Sequence, residues 1–322
     1  MKRAYTAAAV GIGAAVLLAG CVPAPPVPGP APQMAREAAL LDAQAARVSD
    51  ATFEQIHDAD AGNDATKLGD RIAGDALTVR TAQYKVAASA PDHTPDVLPA
   101  EMQAHYVSGA TTWPRILAAV SVQPGDNLTP VVSLWLQDDI DTPYSLRAWA
   151  HMIPGASMPS MPTDVTGAAQ LAITDASVSP TPQAAIEQYI EFLRAGKDSE
   201  LAASFTPDTY SERLFAAREV LTAAATGAGG AYSDTIEADL ENTHVLATAD
   251  GGALVFAPVT VTSAFSVVNA KVSVPAADQA LVEGTLNDKV THHYRDLLVM
   301  YIPGPGVGTL PGLVAAYHHL VK

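Results

Sequence analysis

Hydrophobic and polar residues follow two different periods along the chain, and the change from one to the other occurs twice. Apolar residues first recur at helical spacing, in segments 35–48, 53–56 and 68–84. Strand-like segments that alternate or run apolar follow, at 116–122, 130–137 and 144–152. Turn-forming residues separate these strand-like segments. The first half is therefore predicted to contain helices followed by an antiparallel meander.

The second half repeats this order of elements. Thr181 and Pro182 are typical of a helix start and Gly196 of a helix end, and Asp208 can cap a further helix. A short helix is predicted between them, around Leu201. The strands predicted after these helices are 231–240, 243–249, 254–267, 270–274, 290–302 and 312–321. Helices before strands in each half predict an α+β fold.

The segment between the halves is rich in proline and glycine and lacks sustained periodicity. It favours two tandem α+β domains, at 34–153 and 181–322, joined by a linker at 154–180. The alternative is one continuous domain in which this segment is a surface loop. We favour two domains because thirty residues without regular structure are uncommon inside one domain.

The amino-terminal residues have the pattern of an export signal. Lys2 and Arg3 precede an uninterrupted small and apolar run, Ala7–Ala19. At 1.5 Å per residue this run reaches about 20 Å, which is too short for the ~30 Å hydrocarbon core of a bilayer. Residues 1–20 are therefore predicted to be a signal peptide.

The signal ends in Leu18-Ala19-Gly20-Cys21, which resembles the lipobox of bacterial lipoproteins, and Cys21 is the only cysteine. The resemblance implies a thioether-linked diacylglycerol on Cys21 and attachment to the extracytoplasmic face of the cell membrane. Six prolines in 22–33 favour an extended polyproline stalk, so that 21–33 is the anchor segment. The alternative is an ordinary signal peptide with an unrelated cysteine.

The charge balance excludes nucleic acid as a partner. The formal net charge is -16, with 34 acidic against 18 basic residues. Proteins that bind nucleic acid need clustered lysine and arginine to neutralise phosphates, and anionic lipid surfaces require the same. Attachment to a membrane must therefore come from the lipid.

Two groups of polar residues are candidate sites. If the turn between the last two strands centres near Val307, Asp296 opposes His318, and His292, Tyr294, Asp296 and His318 share one face. They could then bind a metal or transfer protons, but a register slip of one residue would break the set. The alternative is a solvated strand face.

The second group lies on the predicted meander. Alternation places Ser133 and Trp135 on one face of a strand, and Arg147, Trp149 and His151 on one face of the next. These side chains could line a small-molecule cavity, with Arg147 or His151 fixing a polar group. The favoured alternative is that both tryptophans fill the core between sheet and helices.

The motifs of the common hydrolases and peptidases do not occur in the sequence. It contains no Gly-x-Ser-x-Gly, Ser-x-x-Lys or His-Glu-x-x-His pattern. No motif specifies a cofactor or a metal, and no catalytic residue is predicted.

Two family resemblances bear on the whole chain. Three helices followed by a long antiparallel sheet resemble the cone-shaped fold of the nuclear-transport-factor-two-like (SnoaL-like) superfamily, over 181–322 and more loosely over 35–152. The stalk and the segments 133–139 and 298–303 resemble uncharacterised actinobacterial lipoproteins. The first resemblance implies a cavity in which some members isomerise or dehydrate small molecules. The second implies no known chemistry.

These observations predict a lipid-anchored, non-catalytic binding module or scaffold of the cell envelope, with a protein or small-molecule partner that remains unknown. An enzyme of the isomerase or dehydratase type is the first alternative. A structural envelope spacer is the second alternative.

The lipid anchor leads to a first prediction. Cys21→Ser removes the only thiol that can carry the diacylglycerol, so the protein should appear in the medium or stay uncleaved in the membrane. Fractionation and mass spectrometry of material from the native host measure this. Unchanged lipid attachment in the variant would contradict the lipobox interpretation.

Overall fold

The computed structural model describes residues 37–90, 92–126, 128–163, 165–282 and 284–322. The predicted signal peptide, Cys21 and stalk lie outside these residues. In the first half the helices precede the strands, as predicted. The elements are α1 (Asp42–Asp60), α2 (Gly74–Ser89), β1 (Met102–Val107), β2 (Arg115–Ser121), β3 (Val131–Gln137) and β4 (Ser145–Met152).

Helix α1 joins two segments that the pattern predicts as separate helices. The polar residues between them are compatible with the helix, because the hydroxyls of Ser49 and Thr52 are satisfied by the carbonyls of Ala46 and Val48, each at 2.9 Å. The pattern also misses β1. This strand lies at the edge of the sheet and is only partly buried, so its residues do not alternate clearly.

The second half follows the predicted order of elements more closely. Thr181 caps α3 by accepting from the Ala184 amide, and Asp208 caps α4 by accepting from the Ser211 amide. The predicted strand at 270–274 is wrong, because these residues form an irregular loop. The elements are α3 (Pro182–Ala195), α4 (Thr209–Gly227), β5 (Tyr232–Ala238), β6 (His244–Ala247), β7 (Ala253–Ser266), α5 (Ala276–Gln279), β8 (Lys289–Ile302) and β9 (Gly312–Leu320).

All nine strands of the described chain belong to one antiparallel sheet. Its order is β1-β2-β3-β4-β9-β8-β7-β5, and β6 pairs with β7 beside this path. The two halves meet where β4 pairs with β9 through only two residue pairs, His151 with Ala316 and Met152 with Ala315. An α+β fold is confirmed, and its sheet is continuous.

Three hydrophobic clusters form the core. In the first, α1 and α2 pack on β2, β3 and β4, for example through Phe53 and Trp135. In the second, α3 and α4 pack on the strands of the second half, for example through Tyr189 and Met300. The third contains only strand and loop residues and draws on both halves. Helices thus cover one face of the sheet in each half, and the opposite faces of the two halves pack against each other.

The predicted linker at 154–180 is bonded to both halves. Ala168 forms a bridge with Ser108 beside β1, and Gln170 forms a bridge with Leu246 in β6. These backbone bonds and the shared sheet hold residues 36–322 in one compact unit. The prediction of two tandem domains is therefore not confirmed. A segment that resembles a linker in sequence lies against the sheet because its backbone groups pair there.

Within the part of the chain that the structure describes, no helix is both long enough and apolar enough to cross a bilayer.

The packing of this segment leads to a second prediction. Gly167 has a φ of +63°, and a Cβ atom there would lie 2.8 Å from the Ser108 carbonyl oxygen. Gly167→Ala should lower the free energy of unfolding by about 2 kcal/mol or more, because strain and overlap add. Gly155→Ala is the control: its φ is +83° but it has no neighbour within 4 Å. Chemical denaturation should show a smaller loss there, and equal losses would contradict the observed packing.

Candidate binding site

A cleft of about 470 Å³ opens where β4 and β9 meet. The paired residues His151, Met152 and Ala316 line it, together with the loop at 94–97 and the start of α4. Pro95, Val97, Leu128 and Ile153 contribute apolar surface to the cleft. Its volume lies within the range typical of small-molecule sites.

Two stacked rings form part of the cleft wall. The His151 and Tyr317 rings lie 4.7 Å apart between centroids, tilted by 38°. Burial lowers the pKa of His151, although the charge of Asp96 opposes this shift. His151 is therefore neutral near pH 7. Of the candidate residues from the meander, His151 is the one that lines this cleft.

Asp96 lines the cleft and is hydrogen-bonded to both strands. Its carboxylate accepts hydrogen bonds from Tyr317 Oη at 3.1 Å, Gln83 Nε2 at 2.8 Å and Trp149 Nε1 at 3.4 Å. Arg80 donates to its backbone carbonyl at 2.8 Å. Asp96 lies in a loop, so neither hydrophobic period nor motif could have identified it.

Arg213 is the one lysine or arginine among the described residues that line the cleft. It is exposed on α4 and makes no hydrogen bond or ion pair within the described chain. Other arginines are paired: Arg80 with Asp60, and Arg147 with Asp138. The guanidinium of Arg213 is therefore available to a ligand in this cleft.

The last two strands adopt the register in which Asp296 opposes His318, with a bulge between Val299 and Met300. Asp296 pairs directly with His318, and His318 Nδ1 donates to Asp296 Oδ2 at 2.7 Å. Tyr210 Oη donates to the same oxygen at 2.6 Å. Tyr294 stacks on His318 with 3.9 Å between ring centroids. Tyr210 also lines the cleft, so it connects this buried cluster to the candidate site.

His292 lies apart from that cluster. Its ring is 6.3 Å from Tyr294, and it lines a separate hollow of about 270 Å³ near Asp278. Within the described chain its buried Nε2 has no hydrogen-bond partner, and burial lowers its pKa. Tyr294, Asp296 and His318 are thus brought together without His292. No group of three or more metal-ligating side chains suited to a metal ion occurs among the described residues.

The two tryptophans fill the core, as the favoured alternative predicts. Trp135 is fully buried and donates from Nε1 to Thr52 at 3.1 Å, and Trp149 is 2% exposed. The prediction that Arg147 shares a face of β4 with Trp149 is wrong. A bulge leaves Arg147 without a partner on β3, so it pairs with Asp138 away from Trp149. A bulge has no reliable signal in a single sequence.

Comparison with known proteins adds a family but no activity. A family model described as "Domain of unknown function (DUF8094)" matches residues 36–316. The chain belongs to this family. No curated protein and no solved structure matches the chain. The DUF8094 match runs through both halves of the sheet and includes every residue of the cleft except Tyr317. The resemblances to lipoproteins and to the cone fold stay predictions.

The buried His319 makes the stability of this DUF8094 protein depend on pH. It is 6% exposed, its ring lies 5.2 Å from that of Trp149, and its Nδ1 is 3.7 Å from Asp96. Burial lowers its pKa to about 3, although Asp96 and a hydrogen bond to the Trp149 backbone oppose this. The pair with Asp96 is consequently not an ion pair near neutral pH.

This leads to a third prediction. The His319 pKa is about 3 when folded and ~6.5 when unfolded, so between these values the unfolded state binds more protons. Stability should therefore fall as pH falls below about 6.5, with His319 contributing a loss of about 2 kcal/mol at pH 5. His319→Gln should flatten the pH dependence of the unfolding free energy, and the exposed His93→Gln should not. Parallel curves for wild type and His319→Gln would contradict the prediction.

Proposed function

We propose that the protein is a lipid-anchored, extracytoplasmic and non-catalytic binding module whose cleft between β4 and β9 holds a small molecule. The observation that carries the proposal is the unpartnered Arg213 beside apolar and aromatic walls. A cleft that combines apolar surface with a few polar groups is the usual form of a small-molecule site.

The exposure of large apolar side chains supports this use of the cleft. Val97 is 64% exposed and Leu128 is 49% exposed, and both line the cleft. Their transfer out of water would contribute favourable free energy to ligand binding, at roughly 25 cal/mol per Å² of apolar surface.

The location is the other part of the proposal. It rests on the charged start, the short apolar run and Cys21 in the sequence. With a diacylglycerol on Cys21, the acidic folded part would be tethered outside the cell membrane by its proline-rich segment. A structural spacer is less favoured, because it would need neither a cleft nor an available cation.

An enzyme is the second candidate, and one observation favours it. His151 is neutral and borders the cleft, so it could accept a proton from a bound substrate. The two candidates differ in what happens to a bound compound. A binding module releases the compound unchanged after prolonged incubation, whereas an enzyme converts it. Mass spectrometry of extracts from the native host, incubated with the protein, distinguishes the two outcomes.

The cleft itself leads to a fourth prediction. The uncharged fluorescent probe N-phenylnaphthylamine should bind to the wild-type protein. Val97→Asp should weaken its binding about tenfold, because a charge replaces apolar surface in the cleft. Val220→Asp is the control, since Val220 is 67% exposed and does not line the cleft. Fluorescence titration measures both variants. Absence of binding to wild type, or equal weakening in both variants, would contradict the proposed function.

A further inference from the structure

The proposed ligand cleft adjoins a second one. This second cleft has a volume of about 430 Å³ and shares Leu128, Thr129, Met152, Ile153 and Pro154 with the first. Beyond these shared residues it is lined on one side by β1 and β2 and on the other by residues 155–158. The shared residues make the two clefts neighbours, so a long ligand that passes Pro154 could occupy both.

Charge is confined to one end of the two clefts. Among the described residues that line the second cleft, none is acidic, basic or histidine. Tyr106, Val120 and Met158 give it apolar surface, and Gln103 and Gln123 give it uncharged polar surface. The first cleft contains Asp96 and Arg213. An elongated ligand that fits both clefts would therefore be apolar along most of its length and charged near one end.

The sign of that charge follows from the partners of the two charged residues. The carboxylate of Asp96 already accepts hydrogen bonds from three side chains. Arg213 has no such partner within the described chain, and its planar guanidinium suits the two oxygens of a carboxylate. A single cation in a protein of net charge -16 favours a singly charged anion over a phosphate dianion.

We propose that the ligand is an elongated amphipathic carboxylate, bound with its carboxylate at Arg213 and its apolar body extending past Pro154 into the second cleft. This inference rests on the proposed function, because it names the ligand class of the same cleft. It assigns separate tasks to the two clefts: the first selects the charge, and the second selects the length.

Charge selection is tested with decanoate and decanol, which share a chain but differ in charge. All proteins carry Cys21→Ser, so that no acyl chain on the protein competes. By calorimetry, decanoate should bind at least tenfold more tightly than decanol. Arg213→Gln should remove this difference. Arg47→Gln is the matched control, because Arg47 is also exposed on a helix but lies outside both clefts, and it should retain the difference.

Length selection is tested with hexanoate and decanoate. Decanoate should bind at least tenfold more tightly, because its four extra methylenes enter the second cleft. Ser157→Asp places a charge in that cleft and should reduce the ratio without changing hexanoate binding. Ser160→Asp is the control, since Ser160 is equally exposed and lines neither cleft. Both substitutions are at exposed positions, so the fold should be retained.

The outcomes separate this inference from the proposed function. If N-phenylnaphthylamine binds but decanoate and decanol bind equally, the cleft is a binding site without the proposed charge selection. If hexanoate and decanoate bind equally, the second cleft is not part of the site. Either result overturns the inference and leaves the proposed function standing, whereas loss of all binding overturns both.

Discussion

The junction between β4 and β9 is the constraint on which the rest of the structure depends. Two residue pairs and a bond from the Ile153 amide to the Val314 carbonyl join the strands there. Side chains extend this connection, because Trp149 on β4 and Tyr317 on β9 both donate to the carboxylate of Asp96, as does Gln83. Such partners compensate a half-buried carboxylate for the water that it loses. The junction thus makes one sheet of two halves and fixes a polar group at its centre.

The candidate site lies at the same junction. The His151 and Tyr317 rings of β4 and β9 line the cleft there, and the start of α4 brings Arg213 to it. The second half contributes a further polar cluster beneath α4, in which Tyr210 donates to Asp296. Tyr210 belongs to both the cleft and the cluster. One side chain therefore connects a ligand in the cleft to the hydrogen bonds of the cluster.

Several parts of the molecule could be predicted because they depend on local interactions. Thr181 and Asp208 cap helices through amides three residues away. The pairing of Asp296 with His318 was only a conditional expectation, because a bulge between Val299 and Met300 shifts the register of β8 and β9. The bulge at Arg147 could not be predicted in this way. It changes which face a residue occupies, and its cause lies in packing between strands and helices.

The sequence by itself determined the α+β class, most helix and strand positions and the caps, because each depends on neighbours within a few residues. Tertiary structure alone decided that the two halves share one sheet, that 154–180 is bonded to both, and that Asp96, His151, Arg213 and Tyr317 meet at one cleft. Their contacts join residues that are far apart in the sequence, such as Asp96 and Tyr317, and hydrophobic periodicity carries no information about such pairings.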